Sequence, residues 1–183
     1  MCYAGIDQSL TGTGVVVLDN GGVLLSHTLI NPGKLRGVER LAYISLTVGD
    51  IIRTYNVTNA MMEGYSYDSV HRGMDLAELG GVLKLMLYTS KVHFKTPSPS
   101  QVKKFATGKG LATKERVMEA VEKNWGVKII DDNIADAFVL AKIAYVESTH
   151  KSVKRNEMEV VFALNKPEKI TLAKVKNSYV KGC

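Results

Sequence analysis

Two hydrophobic periods alternate along this chain, and the switches between them mark its elements. Tyr3 to Ile6, Val15 to Leu18 and Val23 to Ile30 are short apolar runs of strand length, and Asp19-Asn20-Gly21-Gly22 supplies turn residues between the second and third. Three antiparallel strands are expected to open the fold. From Gly37 to Tyr55 the period changes, with Val38, Leu41, Ile44, Val48, Ile51 and Ile52 recurring at helical intervals, as in a helix with one buried face. Ala60 to Met62 reads as a strand ending at Glu63, and Val92 to Lys95 as another. Between them Leu76, Leu79, Leu83 and Leu87 form one stripe of a helix from Met74 to Tyr88, in which Gly80-Gly81 would allow a neighbour to approach closely.

Ser98-Pro99-Ser100-Gln101 has the form of a capping box, so a short helix is expected there, stopping near Gly108. Thr113 can cap the next helix, running to Asn124 before Gly126, and a last core helix should start at Asp131 or Asp132 and reach Ser148. Glu157 to Leu164 and Lys169 to Val175 look strand-like and flank Asn165-Lys166-Pro167-Glu168, which predicts an added basic β-hairpin. The element order predicts an α/β fold: a mixed five-stranded sheet with helices on its faces. The division expected is a domain over residues 1–150 and a basic extension over residues 151–183, packed on the same domain.

Composition narrows the setting. The only cysteines are Cys2 and Cys183, too far apart in sequence to suggest a ligand pair or a disulfide framework. No signal-like leader or membrane-length apolar run is apparent, so a cytoplasmic protein is expected. The net charge is +6, of which residues 151–183 carry eight Lys/Arg against three Asp/Glu, or +5. Such a tail suits a polyanionic partner, and removing it is expected to lessen the salt sensitivity of binding to one.

Candidate chemistry lies in the carboxylates. Asp7 directly follows the first strand, in the small-residue run Gly5-Ile6-Asp7-Gln8-Ser9-Leu10-Thr11-Gly12-Thr13-Gly14, and Glu63 follows the fourth. If these strands are parallel neighbours, both carboxylates reach the same sheet edge. Asp132 and Asp136 lie four apart on a predicted helix and can share a face, as can Asn133. Converging carboxylates repel one another unless a cation neutralises them, and oxygen ligands suit Mg²⁺ or Mn²⁺. Two such ions about 4 Å apart can hydrolyse a phosphodiester.

The opening D-x-S-x-T-G-T-G at Asp7, Glu63 at a strand end, and D-N-I-A-D-A around Asp136 resemble the RuvC resolvases, particularly their phage-encoded branch, over residues 1 to about 148. The stretch Gln101-Val102-Lys103-Lys104, Gly108-Lys109-Gly110 and Ala112-Thr113-Lys114 is similar to the one in which that family sets basic residues beside the scissile phosphate. The resemblance implies a ribonuclease H-like fold, a homodimer, and Mg²⁺-dependent paired cleavage of four-way (Holliday) DNA junctions, with two ions in each site. Asp7, Glu63 and Asp136 would be metal ligands. The family's fourth ligand commonly lies where this chain has Asn133; charge favours Asp132, with Asp131 also open. Lys114 would stabilise charge at the cleaved phosphate, and Lys103, Lys104, Lys109 and Arg72 would contact DNA. An aromatic wedge is expected at Ser66, where Tyr65 or Tyr67 could substitute.

Two other functions compete. A broader branched-DNA endonuclease, acting on three-way junctions, flaps and forks, fits the same residues. An ATP-binding protein of the actin and sugar-kinase type shares a D-x-S-x-T-G loop but needs a second phosphate loop, which this sequence lacks.

Overall fold

A computed structural model describes residues 1–64, 73–152 and 154–166 of the chain. Strand β1 (Cys2–Asp7) pairs antiparallel with β2 (Thr13–Leu18), which pairs antiparallel with β3 (Leu24–Ile30). On its other side β1 runs parallel to β4 (Val57–Met62), and β4 runs parallel to β5 (His93–Lys95). The order β3-β2-β1-β4-β5 is the mixed five-stranded sheet expected from the pattern. Parallel neighbours need crossovers, and helices α1 (Gly37–Thr54) and α2 (Gly73–Thr89) lie in those two connections.

Successive strand residues point to opposite faces, which divides the core into two. Ala4, Ile6, Val15, Val17, Ala60 and Met62 pack on the α1/α2 side, where Leu79, Leu83 and Leu87 of α2 are buried against them. The predicted leucine stripe is thus intramolecular packing. Tyr3, Val16, Leu18 and Met61 face the other side, covered by α3 (Pro99–Thr107), α4 (Lys114–Trp125) and α5 (Asp132–Thr149). The caps are those the sequence signals. Ser98 and Gln101 form the capping box, Thr113 caps α4, and Gly108 and Gly126 close α3 and α4 in the left-handed region.

Helix α5 lies almost on the sheet backbone. A Cβ added to Gly5 would stand 1.8 Å from the carbonyl oxygen of Ala137, and one on Gly14 would stand 2.4 Å from that of Asn133. Only glycine admits this approach. Ala137 and Ala141 keep the helix side of the contact small, and Tyr3 meets Tyr145 edge to face at 5.4 Å further along.

The predicted hairpin is overturned. Arg155–Leu164 is a helix, α6, with Glu157, Val160 and Val161 buried at helical spacing. The β-branched pair followed by Phe162 imitates a strand, and Lys154 at the N-cap makes no side-chain bond that would announce a helix. Packing overrides propensity here. Val160 and Val161 join the core containing Phe105 and Phe138, each such burial being worth roughly 1.5–3 kcal/mol. Asn156 Nδ2 donates to the carbonyls of Lys104 and Phe105 at 3.2 and 2.7 Å, locking α6 onto α3. A cut at residue 150 would therefore remove part of the core as well as the charge. The second predicted strand, Lys169 to Val175, lies outside the described residues.

Two predictions follow from packing. Gly5→Ala is expected to cost about 3 kcal/mol or more by overpacking, seen as a lowered urea midpoint. Val161→Ala is expected to cost on the order of 2 kcal/mol, whereas an α6 that merely rested on the surface would tolerate it.

Candidate active site

Register brings the first two carboxylates together. The parallel ladder aligns Gly5 with Met61 and Ile6 with Met62, so Asp7 and Glu63 are next in line, and the Glu63 amide donates to Ile6 O at 3.0 Å. Both continue the alternation that turns Tyr3, Gly5 and Met61 toward α5. Helix α5 supplies the third. Because Ala137 rests on Gly5 and Asn133 on Gly14, Asp136 stands over the end of β1. The three carboxylates are close enough to act on one another electrostatically, and Asp7 and Glu63 share a side-chain hydrogen bond.

Their protonation records the crowding. Burial, then the charges of Glu63 and Asp136, hold the Asp7 carboxyl well above the usual carboxylate range. Burial and Asp136 push Glu63 up to about 7. Burial also pushes Asp136 up to about 6, with Asp132 adding to the rise and Lys114 and Lys103 opposing it. Such mutually raised carboxyls are a mark of functional sites. Among the described residues no three His, Cys, Asp or Glu side chains are placed so that they could hold a metal ion as they stand. The donor set nevertheless fits a divalent cation, since buried carboxylate oxygens that resist ionisation together are what such an ion would relieve.

The three residues at the start of α5 have separate tasks. Asp131 is the N-cap, accepting from the Ile134 amide at 3.1 Å. Asp132 forms an ion pair with Lys114, which lowers the Asp132 pKa and raises that of Lys114. Asn133 lies against the glycine loop, its Nδ2 3.4 Å from where a Cβ on Gly12 would be. Of the predicted basic residues, Lys103 and Lys114 act on the carboxylates. Lys104 instead pairs with Glu159 of α6 at 2.9 Å. Lys109 lines a groove of about 450 Å³ with Thr107, Arg116 and Lys123, between α3 and α4. Tyr65, Tyr67 and Arg72 lie outside the described residues.

One contributor escaped sequence reading. Gln8 is buried, and its Nε2 donates to Glu63 O at 3.0 Å, tying the loop after β1 to the end of β4. A glutamine after an aspartate carries no sequence signal of that role. The loop beyond it is self-bonded, with the Thr13 hydroxyl 2.6 Å from Ser9 O and the Gly12 amide donating to Ser9 Oγ at 3.2 Å.

The family model described as crossover junction endodeoxyribonuclease RuvC matches residues 3–144, a span that holds Asp7, Glu63 and Asp136. The chain belongs to the RuvC family. Members of the RuvC family are metal-dependent nucleases. The chain is 32% identical to the RuvC of Treponema denticola over 148 residues, covering 76% of this chain and 83% of that protein. It is also 32% identical to the RuvC of Brachyspira hyodysenteriae over 104 residues, covering 56% of this chain and 65% of that protein. The structure of Thermus thermophilus RuvC superposes with a TM-score of 0.70 at 22% identity, covering 82% of this chain and 97% of that one. The same protein in complex with Holliday junction substrate gives 0.69, covering 82% and 94%. The likeness bears out the ribonuclease H-like fold. The match to the RuvC model ends at residue 144, within α5.

The raised carboxyls make a stability prediction. In metal-free protein each favours folding below its unfolded pKa of 3.8 or 4.5. That stabilisation is lost as pH rises through the folded values of about 6 for Asp136 and about 7 for Glu63. With chelator present, Asp7→Asn is expected to gain about 1–3 kcal/mol on the wild type between pH 5 and pH 8. Urea unfolding across that range tests it, and parallel pH curves for the two proteins would contradict the mutual repulsion.

Proposed function

We propose that this chain is a metal-dependent endonuclease that resolves four-way (Holliday) DNA junctions by paired, symmetric phosphodiester cleavage. The observation that carries the reading is the meeting of Asp7, Glu63 and Asp136, from two strand ends and one helix, in a site flanked by Lys103 and Lys114. Relatives bear the name crossover junction endodeoxyribonuclease, and the fold is shared with a RuvC studied on a Holliday junction.

In this reading Asp7, Glu63, Asp136 and Asp132 hold two Mg²⁺ ions, with Mn²⁺ able to replace them. Bound there, the ions would activate water and stabilise the leaving oxygen. Asp132 is preferred as fourth ligand because it carries charge and acts on Asp136, whereas the Asp131 carboxylate is committed to capping α5. Lys114 lies beside Asp132 with its side chain 60% exposed, free to swing from that pair to a phosphate oxygen. Lys103 and Lys109 bind the DNA backbone around the cut, joined by Lys104 when it leaves Glu159. Tyr65, Tyr67 and Arg72, which follow Glu63 in sequence, are assigned to the DNA side on the family resemblance alone.

Symmetric nicks require two sites, hence a homodimer. Helix α2 supports this with a face opposite its buried leucines, where Met74, Leu85 and Tyr88 are 77%, 63% and 76% exposed. Gly81 lies between them with nothing within 4 Å of an added Cβ, so another helix could come close. Among the described residues no helix is long and apolar enough to cross a membrane. We place the enzyme in the cytoplasm of a bacterial or phage-infected cell, where its DNA substrate is.

Four-way, three-way, flap and linear DNA incubated with Mg²⁺ or with chelator test the reading. Symmetric nicks confined to the four-way junction are expected, cutting of all branched forms would replace it with the broader endonuclease, and cleavage in chelator would defeat the metal mechanism. Asp7→Asn is expected to keep junction binding while losing on the order of 1,000-fold or more in cleavage rate; full activity refutes its role. Leu85→Glu is expected to shift the protein to monomer in light scattering, and an unchanged dimer would move the interface elsewhere.

A further inference from the structure

Leu111 stands 97% exposed on the connection between α3 and α4, three residues before Lys114. Its loop is held on every side. Gly108 closes α3 at φ 79°, its amide donating to Lys104 O at 2.8 Å. The Thr107 hydroxyl lies 2.7 Å from Lys103 O and accepts from the Lys109 amide at 3.1 Å. The Gly110 backbone rests on the start of α3, a Cβ there being 3.2 Å from Ser100 O, and Ala112 is buried beyond it. A tethered loop thus presents a fully aliphatic side chain to solvent.

The surroundings indicate what it meets. Lys109 precedes Leu111 on its loop, Lys114 opens α4 three residues after it, and Lys103 is one helical turn before Thr107, where the loop is anchored. An apolar tip amid cations matches a ligand with an anionic backbone and flat apolar faces. Ile130 offers the contrast. It is 90% exposed but lines a groove in which Glu115, Glu119 and Glu122 outnumber the one cation, Lys128, so the net charge there disfavours phosphates.

We propose that Leu111 is a specificity-determining residue whose side chain contacts the face of a DNA base unstacked at the branch point, beside the phosphate to be cut. The inference rests on the junction-nuclease reading and adds a contact that tells open, branched DNA from stacked duplex. The three substitutions that test it fall at two surface positions, Leu111 and Ile130, so the unfolding temperature should not move.

A four-way junction carrying 2-aminopurine at the branch point provides the assay. In chelator, wild-type protein is expected to raise its fluorescence, and Leu111→Ser to lose most of that rise while binding within about threefold of wild type. With Mg²⁺, Leu111→Ser is expected to cut about tenfold more slowly, Leu111→Met to retain most of the rate, and Ile130→Ser to match wild type. Full fluorescence and rate in Leu111→Ser, or an equal loss in Ile130→Ser, overturns the proposal. If wild-type protein fails to bind the junction at all, the junction reading falls and this inference with it; binding and cutting that ignore Leu111 defeat this inference alone.

Discussion

The contact on which the molecule turns is the one between α5 and the bare backbone of β1 and β2. Gly5 and Gly14 remove two side chains from the sheet, and Ala137 and Ala141 keep the helix slim where it crosses. Without those gaps α5 could not lie this close, and Asp136 would stand off from Asp7 and Glu63. The approach also gives the helix its burial, since residues from Ile134 to Val146 contribute repeatedly to the core on that side. Packing and chemistry therefore share one geometric requirement.

That sharing has an electrostatic cost. The core that steadies α5 also strips water from Asp7, Glu63 and Asp136, and burial is the largest cause of each raised pKa. Lys103 and Lys114 offset part of the repulsion from the rim, and the Asp132–Lys114 pair screens one side. In the metal-free molecule the site is thus the least settled part of an otherwise apolar arrangement. A cation held by these carboxylates, as proposed, would relieve that repulsion and stabilise the fold at the same time.

Much of this was legible along the chain. Apolar runs of strand length located the five strands of the sheet, and helical spacing or a capping residue located the first five helices, because those signals are local in sequence. Capping residues Ser98, Thr113 and Asp131 marked helix starts, since the side chain that satisfies an orphan amide is local in sequence. The parallel pairing of β1 with β4 entered only as the condition for Asp7 and Glu63 to reach one sheet edge, and the register meets that condition. What failed was α6, where Val160, Val161 and Phe162 carry strand propensity and only docking onto α3 decides for helix. Gln8 and the different partners of Lys103 and Lys104 were also beyond reach. A hydrogen bond between residues fifty-five apart, or the direction an adjacent lysine takes, depends on which elements meet in space.

The parallel step between β1 and β4 also bears on the order in which the molecule can be made. The meander β1-β2-β3 closes through short connections and carries only Asp7. Glu63 arrives after the long excursion through α1, and Asp136 after most of the chain has been synthesised. Closing those loops is slow relative to local structure, and docking of α5 is the step that unites all three carboxylates. A nascent or partly folded chain therefore lacks the gathered carboxylates, so on the proposed reading the capacity to cut DNA emerges only with the finished fold.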